Sequence, residues 1–269
     1  MRNFRVTIAY DGSNFGGWQR QKNSYAVQQA VEDTLKKILK KRHTVTGCSR
    51  TDAGVHANRF VFNFHTESGI PCKGLYCALN AILPEDVAVL QVEEVDLTFS
   101  ARFNAVAKEY IYKFQNTAAR NPFNCRYALH VDEPLDEKLM NAAAKDYIGR
   151  HDFAAFRASG FQTLTSERTI YDARVERFGD EVVFTVTGDG FLYNMVRIMA
   201  GTLYYIAIGK LAPDSIPGIL ASLDREKAGK TLPPHGLYLN KIYYDNTHDY
   251  DKIWRPAPVA LLTDGRENE

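Results

Sequence analysis

The chain has 269 residues, 45% of them hydrophobic and 12% aromatic, which is enough to bury a sizeable core and excludes a disordered chain. Thirty-three Lys and Arg against 32 Asp and Glu leave a net charge of +1, which excludes a uniformly basic nucleic-acid binder but not a local basic patch. Cys48, Cys72, Cys77 and Cys125 are too few and too unevenly spaced for a disulfide framework. No apolar run approaches the roughly 18 residues of a membrane span, so a cytoplasmic protein without membrane attachment is expected.

In chain order, "FRVTIAYDG" alternates and ends in Asp-Gly, the pattern of a strand and turn. "AVQQAVEDTLKKIL" places Val27, Ala30, Val31, Leu35 and Ile38 at helical spacing, with Ser24 as a candidate cap. The helix runs into "KKILKKRH", five basic residues without an acid. Lys40 and Lys41 are therefore candidates for phosphate contact, although cations at a helix C-terminus also favour its dipole. "TVTGCSRTD" reads as strand and loop and "HANRFVFNFH" as an alternating strand. "CKGLYCALNAILP" is a helix stopped by Pro84, and "VAVLQVEEV" is another strand.

The rhythm then returns. "AKEYIYKFQN" is strand-like, "DEKLMNAAAKDYIG" helical, and "SERTIYDARVERFG" with "EVVFTVTGDG" a strand pair. "FLYNMVRIMAGTLYYIAIG" reads as one helix that tolerates Gly201, and "HGLYLNKIYYD" as a last strand. Two similar α+β units are expected, residues 1–105 and 106–245, with helices packed on antiparallel sheet. Residues 246–269, rich in charge and holding two prolines, read as a C-terminal extension.

The segment "GCSRTDAGVHANRFVFNF" sets Arg50, Asp52 and His56 around Gly54 at the mouth of a strand. Glycine permits an unusual backbone path there, and the loop can expose the carboxylate. On its own this is either a polar turn or a catalytic loop. The Asp-x-x-x-His spacing is weak evidence for a metal, and no metal site is expected.

Six ordered blocks, "AYDGSNFGGWQRQ", "GCSRTDAGVHA", "ARFNAVAKEYIY", "GRHDFAAFR", "GDGFLYNMVRIMAGTL" and "PPHGLYL", together resemble the bacterial tRNA pseudouridine synthase A family over about residues 1–245. The resemblance implies two ferredoxin-like, RRM-like halves whose antiparallel sheets join around a central active-site cleft. It also implies conversion of uridine to pseudouridine at positions 38, 39 and 40 of the tRNA anticodon stem-loop, without a cofactor, by a homodimer. By the same resemblance Asp52 of "RTDAGVHA" is the essential carboxylate, Tyr110 the aromatic partner and Arg197 of "NMVR" the arginine of the second half.

A planar arginine fork beside Asp52 is expected to grip it in a bidentate pair and to oppose a rise of its pKa on burial. Arg20, Arg50, Arg59, Lys40 and Lys41 are the candidate RNA contacts. Trp18 reads either as packing for the loop or as a stacking platform. Two other classes compete for the same residues: an RNA-binding module without activity and a metal-dependent nuclease.

Overall fold

A computed structural model describes residues 1–160 and 165–244; the expected C-terminal extension, 246–269, lies outside the described residues. The first half runs β1 (Arg2–Tyr10), α1 (Val27–Leu39), β2 (Thr46–Gly47), β3 (His56–Thr66), α2 (Cys72–Ile82) and β4 (Val87–Val95). The spacing of α1 buries Val27, Ala30, Val31 and Leu35 and leaves Lys36 and Lys37 in its exposed last turn. Ser24 is not its cap. Ala26 holds that position, and the first amides of the helix are taken instead by backbone carbonyls, Val27 N–H by Gly17 and Gln28 N–H by Trp18. The helix ends on Lys40, whose φ of 58° is left-handed and costly for a residue with a Cβ. α2 ends at Leu83, which is extended because the residue before a proline is pushed out of the helical region.

The second half runs β5 (Ala105–Asn116), β6 (Leu129–Val131), α3 (Glu137–Ala144), β7 (Gly149–Asp152), β8 (Glu167–Phe178), β9 (Glu181–Gly188), α4 (Met195–Ala207), α5 (Ser215–Ser222) and β10 (Leu237–Tyr244). α3 is capped by the Asp136 carboxylate, which accepts from the amides of Lys138 and Leu139 at 2.9 and 3.0 Å. The segment "FLYN" is not helical, despite its apolar character. Asn194 adopts φ 58°, so α4 starts only at Met195, after a turn at Tyr193–Asn194 closed by the Met195 amide donating to the Leu192 carbonyl at 3.0 Å.

All ten strands form one sheet, in the order β4-β1-β3-β10-β5-β9-β8-β7, with β2 on β3 and β6 on β5. Pairing is antiparallel except for β5 with β6 and β10 with β3, where Tyr238 and Leu239 face His56 and Ala57. β10 also runs antiparallel to β5 from Leu237 opposite Tyr112 to Tyr244 opposite Ala105, so it joins the two halves into a continuous sheet.

Alternation sorts the two faces. Phe4, Val6 and Ile8 on β1, Phe60, Phe62 and Phe64 on β3, Tyr112 and Phe114 on β5 and Phe184 on β9 are buried in one apolar layer with the helices. Asn3, Arg5, Thr7, Glu109 and Thr185 occupy intervening positions. Gly201 is required rather than tolerated: a Cβ there would lie 1.9 Å from the Lys230 carbonyl oxygen. The loop after α5 crosses α4 at this point, and Thr202 Oγ1 accepts the Gly229 amide at 2.9 Å.

Candidate active site

Two loops lock together to present Asp52. The first leaves β1 after Tyr10, and the second connects β2 to β3. The Trp18 amide donates to the Thr51 carbonyl at 3.1 Å, the Gly54 amide to Phe15 at 3.4 Å, and the Tyr10 hydroxyl meets Thr51 Oγ1 at 2.7 Å. Gly17, at φ 94°, passes so close that a Cβ would lie 2.4 Å from the Thr51 carbonyl oxygen. Trp18 is buried and stacks on Phe60 at a centroid distance of 4.0 Å, which supports the packing reading. Cys48 is likewise buried, accepts the Val61 amide, and has its thiol pushed up to about 12 by burial, so it is a structural thiol rather than a nucleophile.

Asp52 stands over a cleft of about 520 Å³ walled by both halves of the chain. Its partner from α4 is Arg197, whose Nη1 lies 4.0 Å from Asp52 Oδ2. The expected bidentate fork is not formed. Arg197 Nε donates to the Leu232 carbonyl and Nη1 to Asn194 Oδ1, each at 2.6 Å, so its other bonds hold it in place while one nitrogen faces the carboxylate. Burial raises the Asp52 pKa, and the Arg197 charge works against that rise. Burial lowers the Arg197 pKa, with Asp52 opposing.

Tyr110 projects from β5 into the same cleft. Its hydroxyl meets Ser49 Oγ at 3.1 Å, and Phe191 from the segment before α4 packs edge-on at 5.1 Å. Desolvation raises its pKa, so the phenol is neutral at pH 7. On the first-half side, His56 accepts the Gly12 amide at Nδ1, places Nε2 3.1 Å from the Arg126 carbonyl, and lies 3.1 Å from Asp11. Its pKa is lowered by burial despite the Asp11 charge, consistent with a hydrogen-bonding histidine.

The structure thus brings Asp52, Tyr110, Arg197 and Arg50 together and separates the other candidates from the cleft wall. Arg20 is engaged by Glu32 at 3.0 Å and Asp33 at 3.2 Å. Arg59 is exposed on β3, Lys40 is exposed at the end of α1, and Lys41 lies 3.8 Å from Glu67. Arg102 and Lys108 also line the cleft, and the sequence motifs do not single them out. A signal for Lys108 is nonetheless present in "AKEY": two residues before Tyr110 on a strand is the same face. Among the described residues no group of three or more His, Cys, Asp or Glu is arranged to hold a metal, and no helix is long and apolar enough to cross a membrane.

A family model described as tRNA pseudouridine synthase matches residues 6–104 and 143–245, spans that include Asp52 and Arg197 and flank the segment holding Tyr110. Proteins named tRNA pseudouridine synthase A are similar over nearly the whole chain. That of Acetivibrio thermocellus is 46% identical over 244 residues, 91% of this chain and 100% of its own length. That of Ruminiclostridium cellulolyticum is 46% identical over 245 residues with the same coverage, and that of Thermoanaerobacter pseudethanolicus 44% over 244. With a carboxylate of the first matched segment 4.0 Å from an arginine of the second, and with identity of this extent, the chain belongs to the tRNA pseudouridine synthase family.

Proposed function

We propose that this chain isomerises uridine to pseudouridine at positions 38, 39 and 40 of the tRNA anticodon stem-loop, with Asp52 as the essential group and no cofactor. The observation that carries the reading is the Asp52 carboxylate in a two-walled cleft, 4.0 Å from Arg197 and beside Tyr110. The reaction breaks the bond between N1 and ribose C1′, turns the base within the cleft, and forms a bond from C5 to the same C1′. The C5 proton is then lost and N1, freed of the sugar, gains one, so no atom is gained or lost overall.

Asp52 opens the reaction in its ionised form, either by attacking C1′ or by taking a ribose proton on a glycal route; both use the same negative charge. Arg197 favours that ionised form against the cost of burial. Tyr110, neutral and held by Ser49, covers the base and keeps it in place between cleavage and re-addition. A base stacked in RNA is out of reach of this cleft, so the target nucleotide is flipped out, at a cost of a few kcal/mol. Phosphate contacts from Arg50, Arg59, Lys40 and Lys41 help to offset that cost, whereas Arg20 is held by Glu32 and Asp33. The fuller reading has residues 1–105 and 106–245 as the two catalytic halves of each chain, a division supported by the two segments that the family model matches, and has the chain act as a cytoplasmic homodimer.

The test is to incubate purified chain with tRNA in chelator, map pseudouridine along the product, and follow tritium release from C5. Modification confined to 38 to 40 supports the reading. Strand scission would favour the nuclease, and binding without tritium release the inactive module.

A further inference from the structure

The charges on the cleft wall do not balance. Among the described residues Asp52 is its one acidic residue, and Arg197 already answers it. Arg50, Arg102 and Lys108 remain, and among the described residues none of these three side chains forms an ion pair or donates a hydrogen bond to a protein acceptor.

Lys108 is the unusual member. It sits on β5, on the face of Tyr110, partly withdrawn from water. Its pKa is lowered by burial first and then by the Arg102 and Arg168 charges; the neighbour acting the other way is the Cys48 thiol, itself neutral with its pKa pushed up to about 12. A cation withdrawn from water among other cations costs stability unless an anion arrives to meet it.

The charges that act on one another around the cleft fall into two sets. Asp52 and Arg197 feel each other, whereas the charges felt by Lys108 are those of Arg102 and Arg168. Two residues along a strand place Lys108 about 7 Å from Tyr110, a span on the scale of one nucleotide from sugar to phosphate. The anion of an RNA nucleotide is its phosphodiester.

We propose that Lys108 is a positioning residue that binds the backbone phosphodiester adjoining the flipped uridine, with Arg102 near it and Arg50 elsewhere on the same cleft wall. The phosphate completes a charge set that the protein leaves open, and so fixes C1′ over Asp52. This rests on the proposed isomerase reading.

The experiment pairs protein and substrate changes. Lys108→Met and Lys108→Arg are prepared as full chains, and tRNA is assembled by ligation with one neutral methylphosphonate immediately 5′ or 3′ of the target uridine. On ordinary tRNA, Lys108→Met is expected to lose about 10- to 100-fold in kcat/KM for C5 tritium release, the range for one charge-assisted contact, and Lys108→Arg to recover most of it. Wild type should lose a similar factor on one of the two methylphosphonate substrates, and Lys108→Met should lose nothing further on that substrate. Lys108→Met should also melt no lower than wild type, because it removes a costly charge. Wild-type turnover in Lys108→Met, or the same methylphosphonate losses in wild type and variant, overturns the proposal. If Asp52→Asn is meanwhile inactive, the isomerase reading stands without it; if wild type releases no tritium from any substrate, the isomerase reading itself has failed.

Discussion

Replacing Asp52 by Asn separates catalysis from folding more cleanly than any other change in this cleft. The side chain is 35% exposed and its one charged partner is Arg197, at 4.0 Å. Two charges at that distance attract by about 4 kcal/mol at an effective dielectric constant of 20. Exposure of Asp52 screens this to about 1 kcal/mol, and desolvation of the carboxylate opposes it further. Arg197 keeps its bonds to Leu232 and Asn194 in the variant, so no buried donor is stranded. The net change in stability should fall within about 1 kcal/mol.

The sign of its pH dependence follows from the raised pKa of Asp52. A carboxyl raised by folding burdens the fold above its folded pKa and ceases to do so as pH falls through that value. Any stability advantage of the Asn variant at neutral pH should therefore shrink in acid. Turnover should drop by at least about four orders of magnitude, the upper end for loss of a general base, because the amide can neither attack C1′ nor take a proton. Denaturant unfolding, tRNA affinity and C5 tritium release measured on one preparation decide the matter. A folded Asn variant that releases tritium at the wild-type rate would remove Asp52 from the chemistry.

Arg197→Ala should cost about 2–4 kcal/mol of stability, since it strands two acceptors, and should lose far more turnover than Arg197→Lys. With the arginine charge gone the Asp52 pKa rises further, so the acid limb of kcat/KM against pH should move to higher pH in the Ala variant and stay near wild type in the Lys variant; an unmoved limb in both contradicts the pairing. If Lys40 and Lys41 meet phosphates, replacing both by Gln should flatten the plot of log affinity against log salt by roughly 0.7–0.9 for each phosphate no longer neutralised, whereas an unchanged slope places this helix end outside the interface. Gly201→Ala improves helix propensity yet should destabilise by about 3 kcal/mol or more in a melting experiment, because the Lys230 backbone cannot yield as a side chain would. Turnover should fall with it, since the same loop delivers the Leu232 carbonyl to Arg197.

How much of the fold and site is legible in the sequence depends on whether a property is local in the chain. Long elements with a clear period, such as α1, β3 and β9, announce themselves, whereas β6 and β7, at three and four residues, are too short to show one. The turn at Asn194 reads as helix because its apolar neighbours carry no warning of a left-handed residue. At the site, motifs point to Asp52, Tyr110 and Arg197, but not to the geometry of Arg197. Its fork is directed by a carbonyl 35 residues away, and nothing near "NMVR" specifies where Leu232 lies. Arg20 illustrates the same limit: beside "FGGWQRQ" it looks available for RNA, and only α1 brings Glu32 and Asp33 to it.

The placement of β10 has a consequence for the timing of assembly. This last strand of the described fold fills the space between β3 and β5, and its two-residue parallel ladder lies just after the Asp52 loop. A growing chain that has emerged only as far as α5 already contains Asp52, Tyr110 and Arg197, but the two walls have no shared strand to set their spacing. Closure waits on pairings that span most of the sequence, the kind that form late and slowly. On the proposed assignment, unfinished chains should therefore be chemically silent, and the competence to rearrange a tRNA base should arrive in one step, when synthesis has passed this strand.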